Sequence, residues 1–299
     1  MQKRIYQILS IFLFVVVFGC AVLKGQQLWS YLHNIRWKWA VAGLGIYLIN
    51  YSLRALRINI VSRQRLKIWP SAIHSACLHG VATYFLPFRS GDLTLPVILK
   101  SVANIGLTEG GQILLKVRFL DFFTLGLWML CMSLLTPVLI SPLVRLIWFL
   151  IALGMSLFPL MTKWLQSLDC LARLSRLKAM KIFENVASFG ALEIVVSLGI
   201  WMAVASCYFC TARAINLNIG IGDIWFLITI QLPLQLIPVQ GFANAGNHEG
   251  GWIAGLALLG IPTSEGMNFA LASHAVLIVY VLALGVMALL TGKRITMKE

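Results

Sequence analysis

The stretch TYFLPFRSGDLTLPVILK, residues 83–100, decides how this chain is read. Its composition is that of a surface turn, with Pro87, Arg89, Gly91, Asp92 and Pro96 in close succession. The sequence on either side is almost wholly apolar. An ionised side chain at bilayer depth costs at least about 2.5 kcal/mol, so it needs a partner or a wet cavity there. Whether this turn sits at a surface or inside a membrane therefore fixes both the architecture and the place to look for a site.

The bulk of the chain answers for the solvent. Of 299 residues, 60% are hydrophobic and 11% charged, with a mean hydropathy of +0.87. Soluble domains carry charge on about a quarter of their residues. Apolar runs of about 18 residues or more recur along the chain, the pattern of a helical membrane protein. No Gly-Ser or Pro-rich linker and no low-complexity tract divides it, so residues 1–299 are expected to form a single polytopic membrane domain. The opening MQKRIYQ followed by ILSIFLFVVVFGCAVL has the outline of a signal peptide, and VFGC resembles a lipoprotein cleavage site. Phe18 stands where a small residue is needed before Cys20, and further apolar segments follow, so a retained first helix is expected. The cysteines fall mostly in apolar segments. Cys207 and Cys210, with no second CxxC pair, read as small packing residues.

Hydropathy predicts six spanning helices, at Ile5–Leu23, Trp39–Arg57, Gly111–Leu139, Leu143–Met161, Ser188–Ala212 and Met267–Leu290. Two pairs of shorter apolar pieces remain. Ser71–Pro87 and Leu93–Ile105 flank the first polar tip, and Ile224–Val239 and Gly250–Ile261 flank a second, QGFANAGNHE. Cationic clusters occur at Lys3 and Arg4, from Arg54 through Arg57, Arg63 and Arg65 to Lys67, from Lys163 to Lys181, and at Lys293, Arg294 and Lys298. The positive-inside rule places all of these in the cytoplasm. Residues 71–105 then start and end inside. Leu93–Ile105 spans about 20 Å as a helix, against a hydrocarbon core of about 30 Å, so a re-entrant pair of half-helices is expected. Residues 222–266 repeat the pattern from outside. The fold class expected is an all-α integral membrane protein with about six spanning helices and two re-entrant helical hairpins. They form an inverted repeat of approximately residues 39–139 and 188–290, an arrangement that transporters use to build sites from half-helix ends.

Few acidic residues exist, and each can be placed. Asp92 lies in the first tip and Glu249 in the second, Asp121 lies within the third predicted helix, and Glu193 begins the fifth. Arg89, Lys100, Lys116 and Arg118 are the cations within the apolar zone. Arg118 and Asp121 are three apart and share a helix face, as a buried structural pair or as part of a site. Arg89 and Asp92 sit beside Gly91, where backbone amides can approach an anion. The second tip adds Gln240, Asn244, Asn247, His248 and Glu249. His248 is either a proton carrier or a histidine satisfied by neighbouring amides. Its HE dipeptide resembles the start of a zinc-protease motif, but position 252 is Trp where the second ligand histidine is needed. No catalytic residue, metal or cofactor is expected, since no nucleophile elbow, Walker loop or dinucleotide fingerprint occurs. The net charge of +14 lies scattered at membrane borders, which argues against nucleic acid. Residues 164–183 pattern as an amphipathic interfacial helix.

Three of these motifs together, LPFRSGD, then VRFLD about thirty residues on, then IPVQG…HEGG before a closing helix, resemble the lysylphosphatidylglycerol synthase transmembrane-domain family. That family includes the flippase part of bacterial multiple peptide resistance proteins and many stand-alone membrane proteins. Its first tip reads Pro-x-Arg-x-Gly-Glu with an arginine three residues later. Here Pro87, Arg89 and Gly91 match, Asp92 replaces the glutamate, and Leu95 stands at the arginine position, a departure that leaves the headgroup open. Arg118 and Asp121 match the family's helical pair, and Pro238, Gly241 and Glu249 its second tip. The family's soluble aminoacyl-transferring domain is not expected, since Glu299 follows closely on the last predicted helix, and synthase activity is not carried over.

The expected function is that of a transporter or flippase moving an anionic phospholipid or polyprenyl-phosphate-linked substrate between leaflets through a central charged cavity. Its substrate-binding residues are Arg89, Gly91, Asp92, Lys100, Lys116, Arg118, Asp121, Gln240, Asn244, Asn247, His248 and Glu249. The rival readings are a membrane-embedded lipid-modifying enzyme, and a scaffold recruiting a separate soluble lipid- or glycan-modifying enzyme through its basic segment. A homo-oligomer is compatible with either. A multi-pass protein of the bacterial cytoplasmic (inner) membrane is expected, and the basic clusters at both ends place both termini in the cytoplasm.

Overall fold

The computed structural model describes residues 15–66, 69–135, 141–167, 188–235 and 241–296. All regular structure among the described residues is helical. Residues 15–23 form α1, and a turn at Lys24 leads into α2, Gly25–His33. The chain continues through α3 (Trp37–Val61) and α4 (Trp69–Phe85) to a 3-10 tip, Pro87–Leu93. It returns through α5 (Thr94–Ala103) and α6 (Leu107–Leu135) to α7 (Pro142–Ser167). Then follow α8 (Ala191–Ala214), α9 (Ile221–Gln235), a short 3-10 turn at Phe242–Asn244, α10 (Asn247–Leu258) and α11 (Thr263–Thr296). Gln240, Pro238, the start of the predicted helix Ile5–Leu23 and most of the basic segment 164–183 lie outside the described residues.

The helices run where the apolar segments are, but several ends differ from expectation. Residues 25–33, expected as a loop, form α2. α3 continues past Arg57 to Val61, so Arg54 and Arg57 lie inside a helix rather than at its cytoplasmic end. Among the described residues, three segments are long and apolar enough to cross a membrane: Pro142–Pro159 in α7, Ala191–Ala214 in α8 and Thr263–Gly292 in α11. α3 and α6 are comparably long, at 25 and 29 residues, but carry charges along their length. The helices beside the tips are shorter. α5 has 10 residues and α10 has 12, each giving less than about 20 Å of helix against a hydrocarbon core of about 30 Å.

The outer surface is apolar. On α7, Leu143, Leu146, Ile147, Leu150 and Ile151 form an exposed ridge at three- and four-residue spacing, and Val279, Leu282, Val286 and Leu289 do the same on α11. An exposed stripe of that kind on a long apolar helix needs lipid against it. The chain is a membrane protein.

Inside, α3 packs along α8, α4 along α11 and α6 along α7. Asn50 in α3 donates to the Ile200 carbonyl of α8 at 2.9 Å, and Tyr280 of α11 donates to the Ala40 carbonyl of α3 at 2.7 Å. Two apolar cores result. One gathers Leu125, Trp201, Tyr208, Trp252 and Phe269, and the other gathers Ile58, Ala76, Leu95, Leu99 and Ile113. A cavity opens where they meet.

Candidate functional site

The cavity holds about 210 Å³ and is lined by residues of both cores. α3 supplies Tyr47, Asn50, Tyr51, Arg54 and Arg57, a polar stripe at helical spacing on an otherwise apolar helix. His79, Gly80, Thr83 and Tyr84 come from α4, Arg118 and Asp121 from α6, and Trp201 and Tyr208 from α8. The first tip contributes Arg89 and the second contributes Asn244.

The first tip is shaped by its sequence. Leu86, ahead of Pro87, is extended, which stops α4. Phe88 and Arg89 then take left-handed backbone, with φ of 57° and 55°. Gly91 is buried against α4, where an added Cβ would collide with the backbone of Ala82 and Thr83. Only glycine allows the tip to lie that close. Thr94 donates to the Gly91 carbonyl at 2.6 Å and starts α5. The second tip has a matching pair of left-handed residues, Ala243 and Asn244, with φ of 53° and 62°. Such backbone is sparsely populated outside glycine and persists only where the surrounding structure holds it.

Charge converges on the cavity wall. Arg57 pairs with Asp121 at 2.6 Å and also donates to Ser197 at 3.1 Å. Asp121 accepts a second guanidinium from Arg118 at 3.1 Å, and Arg118 reaches on to Asp92 in the first tip. Asp92 in turn faces Arg89 at 3.4 Å. One chain of ion pairs thus ties α3, α6 and the first tip together. Arg54 is held differently: its Nε donates to Asn50 at 2.8 Å and its guanidinium lies 5.5 Å from the Tyr51 ring centre.

The second tip is fastened by Glu249 and His274. Glu249 accepts the Gly246 N–H at 2.8 Å and also pairs with His274 of α11. His274 donates through Nε2 to the Ala243 carbonyl at 2.8 Å. Gly246 has φ of 90°, the left-handed region that glycine tolerates. His248, fully buried beside His274, lies 3.0 Å from the Ser273 hydroxyl. Ser273 gives its own proton to the Ala270 carbonyl, so His248 is the donor in that bond. The two tips meet: the Phe85 and Phe242 rings are 5.9 Å apart, and Tyr84 lies edge-on to His274 at 6.1 Å.

Sequence comparison supplies the family. The model of the lysylphosphatidylglycerol synthase TM region matches residues 7–285. The chain belongs to that family. It is a family of membrane domains linked to lipid-related functions. No curated protein and no solved structure matches the chain.

In this member of the lysylphosphatidylglycerol synthase TM family, the expected site residues that the structure describes fall into three groups. Arg89, Arg118, Asp121 and Asn244 line the cavity, and Asp92 and Gly91 stand directly behind them in the first tip. Glu249 and His248 form the layer fastening the second tip, where Asn247 begins α10. Lys100 and Lys116 stand apart: Lys100 is exposed in the last turn of α5, and Lys116 pairs with Glu193 at 2.8 Å. Glu193 also accepts the Gly190 N–H at 2.9 Å, capping the start of α8. Gln240 lies outside the described residues. Sequence reasoning missed Asn50, Arg54, Arg57, His79 and His274. The signal for the first three was present, since Tyr47, Asn50, Tyr51, Arg54 and Arg57 repeat at three and four residues inside an apolar run.

Proposed function

We propose that this protein moves an anionic lipid or lipid-linked glycan between bilayer leaflets, passing the headgroup through the cavity between the two tips. The observation that carries this reading is the presence of four arginines, Arg54, Arg57, Arg89 and Arg118, lining one cavity inside an apolar helical body. Guanidinium groups bind phosphate through paired N–H donors, and they bind it more strongly where water is scarce. The short helices beside each tip, the left-handed pair in each tip and the ring contact between tips support two re-entrant hairpins in an inverted repeat of residues 39–139 and 188–290. Such hairpins open a shared site alternately to either side. On this reading the chain lies in a bacterial cytoplasmic membrane with both termini inside.

Proteoliposomes carrying a fluorescent anionic phospholipid test the reading, with an impermeant quencher reporting arrival at the outer leaflet. The wild type is expected to equilibrate the label at least tenfold faster than protein-free vesicles. Arg89→Ala and Arg118→Ala should each remove most of that difference. Unchanged rates in both variants would refute transport through this cavity.

A further inference from the structure

Charge around the cavity does not balance. Asp121 serves Arg57 and Arg118, and Asp92 serves Arg118 and Arg89. Arg54 forms no ion pair among the described residues, and its Nη groups make no hydrogen bond there; only Nε is engaged, by Asn50. The Tyr51 ring and Asn50 fix the guanidinium plane while leaving its forked edge free on the cavity wall. The Nε atoms of Arg57 and Arg118 are also buried without a partner. Among the described residues, the four guanidinium groups of the cavity share the two carboxylates Asp92 and Asp121, which leaves two positive charges for an occupant to match.

We propose that Arg54 is the anion-receiving residue of this cavity, and that its occupant carries a doubly charged phosphate, either a phosphomonoester or a diphosphate. A phosphodiester brings one negative charge, whereas a monoester brings about −1.5 to −2 at pH 7 and three acceptor oxygens. Only a doubly charged group, a monoester or a diphosphate, balances the wall and uses the free Nη edge together with Arg57 and Arg118. The inference rests on the proposed transport site for the location of the occupant, but it concerns binding and can be tested without transport.

Native mass spectrometry of the full chain in detergent provides the test, titrating phosphatidic acid against phosphatidylglycerol with identical acyl chains at pH 8. The wild type is expected to bind phosphatidic acid at least tenfold more tightly. Arg54→Gln should shrink that ratio to within twofold, while Arg54→Lys, which keeps the charge but not the fork, should retain part of it. A melting temperature within a few degrees of wild type shows that each variant is folded, and Arg54→Lys keeps the test open if Arg54→Gln is not. Displacement of phosphatidic acid by glycerol phosphate would support a site for the headgroup from either source, and its failure a site for the lipid alone. Equal affinity for the two lipids in the wild type, or an undiminished ratio in Arg54→Gln, overturns the inference and leaves the transport reading standing.

Discussion

Asp121 sits mid-way along α6, 5% exposed, and accepts from Arg57 and Arg118 at once. Removing its charge strands Arg57, itself only 2% exposed, and a buried ion left without its partner costs about 3–5 kcal/mol. Asp121→Asn is therefore expected to lower the melting temperature in detergent by many degrees. Replacing a buried pair by apolar side chains of similar volume is often neutral. Arg57→Met with Asp121→Leu should thus recover most of the lost stability but none of the lipid transport. Recovery of both in the double variant would show the pair to be structural only. The residue scale is also where the sequence was hardest to read. Arg118 with Asp121 was legible because an i, i+3 pair in an apolar run has few other uses. Arg54 and Arg57 were not, because Arg63, Arg65 and Lys67 follow closely and the whole group reads as a cytoplasmic border. Only the helical spacing back to Tyr47 separates the cavity arginines from the surface ones.

At the scale of elements, the two tips are built alike and fastened differently. Pro87, Gly91 and the break in hydropathy made the first tip legible, since each has a backbone consequence that does not depend on distant contacts. The fastening of the second tip was not legible, because His274 lies within α11, 25 residues beyond Glu249, and nothing local in the sequence links them. Glu249 holds both the Gly246 N–H and His274, and His274 holds the Ala243 carbonyl, so the carboxylate anchors the tip to α11 at both ends. Glu249→Ala leaves a half-buried N–H and the Nδ1 of a buried imidazole without their partner, each a loss of about 1–3 kcal/mol or less. The expected result is local rather than global: amide exchange of residues 241–250 should speed up at least tenfold, while α3 and α8 keep their protection. Equal loss of protection throughout the protein would mean that this layer supports the fold rather than the tip.

At the scale of the whole molecule, hydropathy anticipated the order of long and short helices from α3 onward, because burial in lipid selects length and apolarity directly. It could not show that the tips meet, since that depends on α4 packing along α11 and α3 along α8 across the two halves of the chain. That meeting is what a two-hairpin mechanism needs, and it can be held shut. Phe85, which ends α4 just ahead of the first tip, and Phe242 of the second tip have ring centres 5.9 Å apart, and Phe242 is 48% exposed. Cysteines at these two positions, in a background with the native cysteines replaced, lie within reach of a short bifunctional thiol reagent. If headgroup passage requires the tips to separate, joining them should stop transport while leaving lipid binding intact, and a reducible linker should allow recovery on reduction. A cross-linker long enough to span an open gap should inhibit much less than a short one. Transport that continues with the tips tied by the short linker would show that the headgroup travels by another route, along the α3–α8 face or outside the cavity altogether.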